Sequence, residues 1–212
     1  MLPKIRLQGA KAFLSLLWLG LAIVGALGYT GFFQVQAKSQ REPSEDSGVE
    51  LLAGESYAKR VEELILSARS KVWVAMYVAN YQSDRFGAAE NKLFQALAKI
   101  HSKGVDVKVV LDRGMEWDKA KAQLSKDRSE KNDAAFEYLK SKGIPVRWDN
   151  AEQIMHAKYL VVDERFAVVG SHNWTYSALA KNVELSVLLS RESDSAQVGK
   201  LFMELWEKCS SK

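Results

Sequence analysis

The chain has 212 residues, with 30 Lys and Arg against 26 Asp and Glu and a formal net charge of +4. Lys4, Arg6 and Lys11 precede Lys38 while no acid does, so the remainder is close to neutral and bulk charge gives no support for nucleic-acid binding. Cys209 is the only cysteine, which excludes an intramolecular disulfide and says little about compartment.

Residues 1–37 read as membrane-directed. No charged residue occurs from Ala12 to Ala37, and the apolar stretch Ala12 to Phe33 would measure about 33 Å as a helix, enough to span a hydrocarbon layer. A cleaved signal peptide has a shorter apolar region, although Val35-Gln36-Ala37 offers a small-residue cleavage site. An uncleaved signal anchor is therefore favoured, with secretion after cleavage near Ala37 as the alternative. Because the basic residues lie on its amino side, the positive-inside rule leaves the N-terminus in the cytoplasm and the rest on the non-cytoplasmic side, periplasmic in a bacterium. Residues 38–49 are polar, with Pro43, Ser44 and Ser47, and predict a linker. Residues 50–212 have the length of one domain.

Within that domain Val61, Leu64, Ile65 and Ala68 recur at helical spacing and predict a helix over Ser56 to Arg69. The run Val72 to Val78 is almost continuously apolar and predicts a strand, Lys71 to Ala79, covered on both faces. A helix follows over Ala88 to Lys103, stopped by Gly104, then a strand over Val105 to Leu111. Asp112-Arg113-Gly114 ends that strand and opens a polar loop, Met115 to Lys131. Arg113 and Trp117 either contact a phosphate or a base from this loop or belong to a plain solvated segment. Asn132 to Lys142 predicts a helix stopped by Gly143, and Ile144 to Trp148 a short strand. Tyr159 to Val162 and Phe166 to Val169 are β-branched and aromatic runs separated by Asp163-Glu164-Arg165, a tight hairpin. Asn182 to Ser190 alternates, with Val183, Leu185, Val187 and Leu189 on an apolar face and Asn182, Glu184 and Ser186 on a polar one. Ser193 to Lys208 is the last helix. Strand and helix thus repeat into an α/β fold with a mixed sheet flanked by helices.

The chemistry-bearing residues gather at the open end of the hairpin. On a strand His156 and Lys158 point the same way with Cα atoms roughly 6.5 Å apart, about the width of a phosphate held between them. A neutral imidazole is a nucleophile, and an ammonium beside it binds anionic oxygens and stabilises a phosphoryl-transfer transition state. Ser171 and Asn173 add neutral hydrogen bonds. Asp163 is on the opposite face and begins the turn, which makes it structural. From the polar face of its strand, Glu184 is placed to hold the imidazole tautomer. His101-Ser102-Lys103 repeats the His-x-Lys triplet but ends a helix before Gly104, where basic residues complement the helix terminus. Trp174 and Tyr176 either line the cleft or pack in the core. His156, His172 and Asp163 do not have metal-ligand spacing.

His156-x-Lys158-x4-Asp163, followed by Gly170-Ser171-x-Asn173, resembles the signature of the phospholipase D superfamily. The likeness runs over about residues 50 to 208 and is strongest to the small single-motif members, the bacterial endonuclease Nuc and the mitochondrial phospholipase D-like proteins. It implies a phospholipase D-like fold and a covalent phosphohistidine at His156. It also implies phosphate binding by Lys158 and Asn173, support from Ser171, Gly170 as motif glycine, Glu184 as the acid that orients the histidine, and no metal or cofactor. The implied activity is phosphodiester hydrolysis. A nuclease acting on DNA or RNA leads; a phospholipase D releasing phosphatidic acid and a non-catalytic binding module are the alternatives. One complete motif is present, and short members pair two chains to complete the arrangement, so a homodimer with its active site at the two-fold axis is expected.

Overall fold

A computed structural model describes residues 48–114, 122–150 and 153–209, with the backbone alone over 122–131. The predicted membrane segment 12–33, the linker before Gly48 and Trp117 lie outside the described residues. Among those described, no helix is long and apolar enough to cross a membrane. The elements in chain order are β1 (Val49–Ala53), α1 (Glu55–Ser67), β2 (Lys71–Met76), α2 (Ala89–His101), β3 (Asp106–Leu111), α3 (Ala122–Ser141), β4 (Val146–Trp148), β5 (Lys158–Val162), β6 (Phe166–Gly170), α4 (Tyr176–Ala180), β7 (Leu185–Leu189) and α5 (Glu192–Lys208). The strands form one sheet in the order β1-β7-β6-β5-β2-β3-β4. β2, β3 and β4 are parallel, and every other pairing is antiparallel.

β2 is apolar throughout because both its faces are covered. Val72, Val74 and Met76 pack in a cluster with Val61 and Ile65 of α1, Leu93, Phe94 and Leu97 of α2, and Ala135 and Leu139 of α3. Trp73 and Ala75 face the other way, onto Phe202 and Trp206 of α5. The period of two along the strand is thus what separates the two helical layers. Gly104 and Gly143, at φ 90 and 74, follow α2 and α3 in the left-handed conformation that ends helices.

Three expectations need correction, and two elements were not expected. α3 begins at Ala122 and not at Asn132: the run 122–131 contains no Gly or Pro and is rich in straight-chain residues, so its polarity does not make it a loop. β1 and the short α4 carry too little pattern to be predicted. β2 ends at Met76, and the residues up to Ala79 leave the sheet. In β7 the buried side chains are Ser186 and Leu188, while Leu185 is 54% exposed and Val183 is 103% exposed. The alternation is real but its outward face is the apolar one, because β7 lies between β6 and the edge strand β1, beyond the cover of α5.

The β5–β6 hairpin turns through Asp163 and Glu164 at φ 53 and 57, two consecutive left-handed residues as a type I′ turn requires. The Asp163 carboxylate accepts hydrogen bonds from Arg69 N (2.9 Å), Ser70 N (2.8 Å), Ser70 Oγ (2.8 Å) and Lys71 N (3.0 Å). It therefore fastens the turn to the chain entering β2. Partial burial raises its pKa, but the hydrogen bonds from Lys71, Ser70 and Arg69 outweigh burial and hold it below the ordinary value. Beyond the other end of the hairpin, Gly170 pairs with Ser186, and a Cβ at Gly170 would overlap the Oγ, Cβ and backbone Cα of Ser186.

Asp163→Ala should cost about 2–4 kcal/mol in denaturant unfolding, and Asp163→Asn less, because Asn tolerates φ above zero and keeps an acceptor. A carboxyl whose folded pKa is depressed stabilises above its unfolded pKa and loses that contribution as pH falls through the folded value. The wild type should accordingly lose more stability than Asp163→Ala between about pH 5 and pH 3; parallel losses would count against the clamp. Gly170→Ala should part β6 from β7 and lower stability by about 2 kcal/mol or more in thermal unfolding, and an unchanged melting temperature would refute that packing.

Candidate active site

Antiparallel pairing brings four chain segments to one rim of the sheet. β5 starts at Lys158, opposite Met76 at the end of β2, so His156 and Tyr77 lie just outside the same edge. β6 ends there at Gly170, followed by Ser171, His172 and Asn173, and β7 starts there after Glu184. Strand direction alone thus collects residues far apart in sequence.

His156 is exposed and precedes the strand, whereas Lys158 is within it and 7% exposed. The expectation that both stand on one strand face is corrected: the chain turns before β5, with His156 N donating to Ile154 O at 3.1 Å, so strand alternation does not reach the histidine. They still meet. Lys158 Nζ bends back to donate to His156 O (2.5 Å) and lies 4.5 Å from the centroid of the Tyr77 ring, and the His156 ring is 4.4 Å from the same ring. Tyr77 is a site residue that sequence reasoning missed, since it read as one more apolar member of the β2 run. Burial lowers the pKa of Lys158, with the charges of Glu184 and Asp112 opposing that shift.

Ser171 is exposed, and its Oγ donates to the Glu184 carboxylate and accepts from Leu185 N at 3.0 Å. Asn182 Nδ2 donates to the other Glu184 oxygen at 2.9 Å. Burial alone would raise the pKa of Glu184; the hydrogen bonds from Ser171 and Asn182 and the charge of Lys158 bring it below the ordinary carboxylate range. Asn173 Oδ1 accepts from Val78 N at 3.2 Å, which commits that oxygen to the backbone and reserves Nδ2 as a donor.

Trp174 does not line the cleft. It is 1% exposed, donates from Nε1 to Tyr57 Oη at 3.3 Å and packs edge-on to Phe94. A large apolar ring flanked by backbone hydrogen bonds to Val78 and Asn80 is retained by the core, which corrects its assignment to substrate. Tyr176, by contrast, is exposed beside the Arg85 guanidinium (5.0 Å) and Lys181 Nζ (5.8 Å). Arg113 is exposed at the end of β3, with its backbone N–H on Asp149 (2.7 Å). His172 is fully buried, stacked on Tyr57 at 4.0 Å between ring centroids, with Nδ1 2.8 Å from Ser186 Oγ. Burial depresses its pKa, with Glu184 partly opposing, so it is a neutral packing residue.

A buried polar layer lies beneath the rim. Asn132 accepts from Ala79 N (2.8 Å) and donates to Tyr77 O (3.0 Å) and Asp112 O (2.7 Å), fixing the chain where it leaves β2. Asp112 and Asp149 sit at the ends of β3 and β4, and both accept from Met155 N, at 3.0 and 3.2 Å. Among the described residues no group of three or more His, Cys, Asp or Glu is placed to hold a metal ion.

The chain is similar to known proteins. The family model described as "Cardiolipin synthase, PLD-like domain" covers residues 61–206. The chain is 29% identical to the mitochondrial cardiolipin hydrolase of Homo sapiens over 155 residues, 73% of this chain and 51% of that protein. It spans about half the length of the curated relatives it matches. Its fold is similar to that of Nuc from Salmonella typhimurium, a phospholipase D family member, with TM-score 0.59, 23% identity, and 76% of this chain and 96% of that chain covered. Phosphatidylserine synthase of Haemophilus influenzae gives TM-score 0.59 at 17% identity, covering 76% of this chain and 39% of that one. Both structural likenesses speak to the fold. The family match takes in the whole rim, from Tyr77 through His156, Lys158 and Asn173 to Glu184, and on it the chain belongs to the phospholipase D superfamily.

Proposed function

We propose that this chain is a phosphodiester hydrolase working through a covalent phosphohistidine on His156. The observation that carries this reading is the meeting of His156 and Lys158 on the Tyr77 ring, at the rim where Glu184 is held ionised by Ser171 and Asn182. Lys158 spends one N–H on His156 O and has two more for phosphate oxygens, and Asn173 Nδ2 adds a neutral donor. Glu184 serves as the carboxylate that orients the imidazole. A ring nitrogen of His156 attacks phosphorus, the bond to the leaving oxygen breaks, and that oxygen takes a proton from a second, protonated imidazole. That imidazole then removes a proton from water as the water attacks the phosphohistidine, releasing a phosphomonoester and restoring both histidines.

The second imidazole is assigned to His156 of another copy of this chain. Val183 and Leu185, exposed on either side of Glu184, and Leu51, exposed on β1, supply apolar surface next to the site for a two-fold contact. Nucleic acid is the leading substrate: the exposed Tyr176 ring between two cations, close to Asn182 and Glu184 in the chain, suits a base beside its phosphate. A phospholipid is the second reading, favoured by the identity to the human cardiolipin hydrolase and by the predicted anchor over residues 12–33, which would hold the domain against a bilayer on the non-cytoplasmic side.

The full chain, incubated in parallel with single-stranded DNA, duplex DNA, RNA and vesicles of cardiolipin or phosphatidylcholine, should cleave nucleic acid. Vesicle hydrolysis alone would select the second reading. His156→Ala should lose the phosphoenzyme and turnover on either substrate while keeping a near-wild-type melting temperature, since the side chain is exposed. His101→Ala should keep its turnover. Substantial turnover by His156→Ala would overturn the assignment. Mixing wild type with excess His156→Ala under exchanging conditions should suppress wild-type activity, because most active chains would be caught in one-histidine dimers; full activity of a sedimenting monomer would exclude the paired site.

A further inference from the structure

Asp112 and Asp149 are not part of the recognised motif, yet they are the most deeply buried carboxyl groups near His156. Asp112 is inaccessible to solvent and Asp149 is 5% exposed. They extend two parallel neighbours, since Leu111 pairs with Trp148 and Asp149 N donates to Leu111 O at 3.0 Å, so their side chains stand side by side. Their outer oxygens accept from the loop after β3: Asp112 Oδ2 from Gly114 N at 3.1 Å and Asp149 Oδ1 from Arg113 N at 2.7 Å. Their inner oxygens, Asp112 Oδ1 and Asp149 Oδ2, converge on the single N–H of Met155 at 3.0 and 3.2 Å.

Two ionised carboxylates cannot share one buried N–H without strong repulsion, whereas an acid and a carboxylate can, with the proton between them. Met155 is itself buried in the cluster of Phe202 and Trp206, and the next residue is His156. We propose that Asp112 and Asp149 hold one shared proton and act as a positioning pair for His156, clamping the Met155 peptide so that loss of the proton loosens the histidine-bearing segment. This rests on the reading of His156 as the reacting group.

Charged groups surround the pair. Lys158 is within Coulombic reach of Asp112. Asp149 faces the Cys209 thiol, which burial and the Asp149 charge push up to about 11, with the Arg147 guanidinium opposing. Lys208 lines the same surface depression as Asp149 and Met155, and Arg113 offers Asp149 its backbone N–H. Burial is the main reason the Asp149 pKa rises, to about 7, against the Arg113 hydrogen bond and with Asp112 adding to the rise. The pair therefore passes from one proton to none around that value. The raised folded pKa makes the clamp complete below that value and progressively lost above it.

The test uses the full chain with methyl-labelled methionine, the Met155 resonance being assigned with Met155→Leu. In the wild type this resonance should titrate with a midpoint near 7, and in Asp149→Asn it should not, because the amide donates permanently to Asp112 and still accepts from Arg113 N. The alkaline limb of log kcat/KM should be steeper than one proton in the wild type and of unit slope in Asp149→Asn. That variant should be about tenfold or more faster than wild type two pH units above the midpoint. A Met155 resonance that is constant in the wild type, or that titrates alike in Asp149→Asn, overturns the proposal. Asp112→Asn gives the same comparison should Asp149→Asn not fold. An inactive wild type whose Met155 still titrates would keep the acid pair and remove the assigned role of His156.

Discussion

The central constraint is the burial of the Lys158 ammonium at the end of the middle of the sheet. Taking a cation out of water costs several kcal/mol unless partners replace its hydration. Here the replacements are the His156 carbonyl, the Tyr77 ring face and the fields of Glu184 and Asp112. Each of those groups is fixed by a different element, so the position of one nitrogen binds β2, β3, β5 and β7 to a common rim. In the proposed reaction, desolvation would raise the worth of the charge toward a phosphate oxygen, with its partners holding it in place beforehand. The side on which Lys158 stands depends on register, for a slip of one residue would turn it to the α5 face. Register in turn is set five residues away by the turn at Asp163 and Glu164 and by the four hydrogen bonds that tie Asp163 to the entry of β2. The aspartate of the motif therefore bears on the chemistry through strand pairing and touches none of the reacting groups.

The candidate reacting groups were legible in the sequence because they lie close together in it. His156, Lys158, Ser171 and Asn173 form a fixed-length polar pattern on either side of a hairpin whose two strands are unmistakable. Apart from the start of α3, alternation and helical spacing placed the main strands and helices within a few residues. What failed were inferences from pattern to burial. The apolar side of β7 faces outward because the sheet edge lacks a covering helix there, a fact held by α5 and not by residues 182–190. For Trp174 the sequence left cleft and core both open, and its backbone hydrogen bonds with Val78 and Asn80 accompany a ring packed in the core. Polarity over 122–131 suggested a loop, while side-chain type favours a helix.

Asn132, Asp112 and Asp149 show a second kind of illegibility. Asn132 binds Ala79 and Tyr77 across 53 and 55 residues of chain, and Asp112 reaches Met155 across 43. Singly, each is an ordinary polar residue at a strand end or helix start, as common in solvated loops as in cores. Together they satisfy the backbone where three strands leave the sheet, which the interior demands of every buried donor and acceptor. Such a network is cooperative, so a change at Asn132 is transmitted to Tyr77 without any contact to substrate.

The proposed reaction needs a proton for the leaving oxygen, and several groups of one chain are poorly suited to give it. Glu184 is held ionised below the ordinary carboxylate range, the wrong state for an acid at neutral pH. His172 is buried, stacked on Tyr57 and depressed toward the neutral form, and Tyr57 is pushed up to about 12 inside the core. His101 closes α2 against the Gly143 carbonyl and is outside the rim. In the proposed acid pair the Asp149 proton would lie beneath Met155 and hold the backbone. Among the described residues, the imidazole exposed at the rim is that of His156. Chemistry that needs two such imidazoles in opposite protonation states therefore favours pairing two rims about a two-fold axis, and the apolar residues exposed around Glu184 give that pairing a surface to form on.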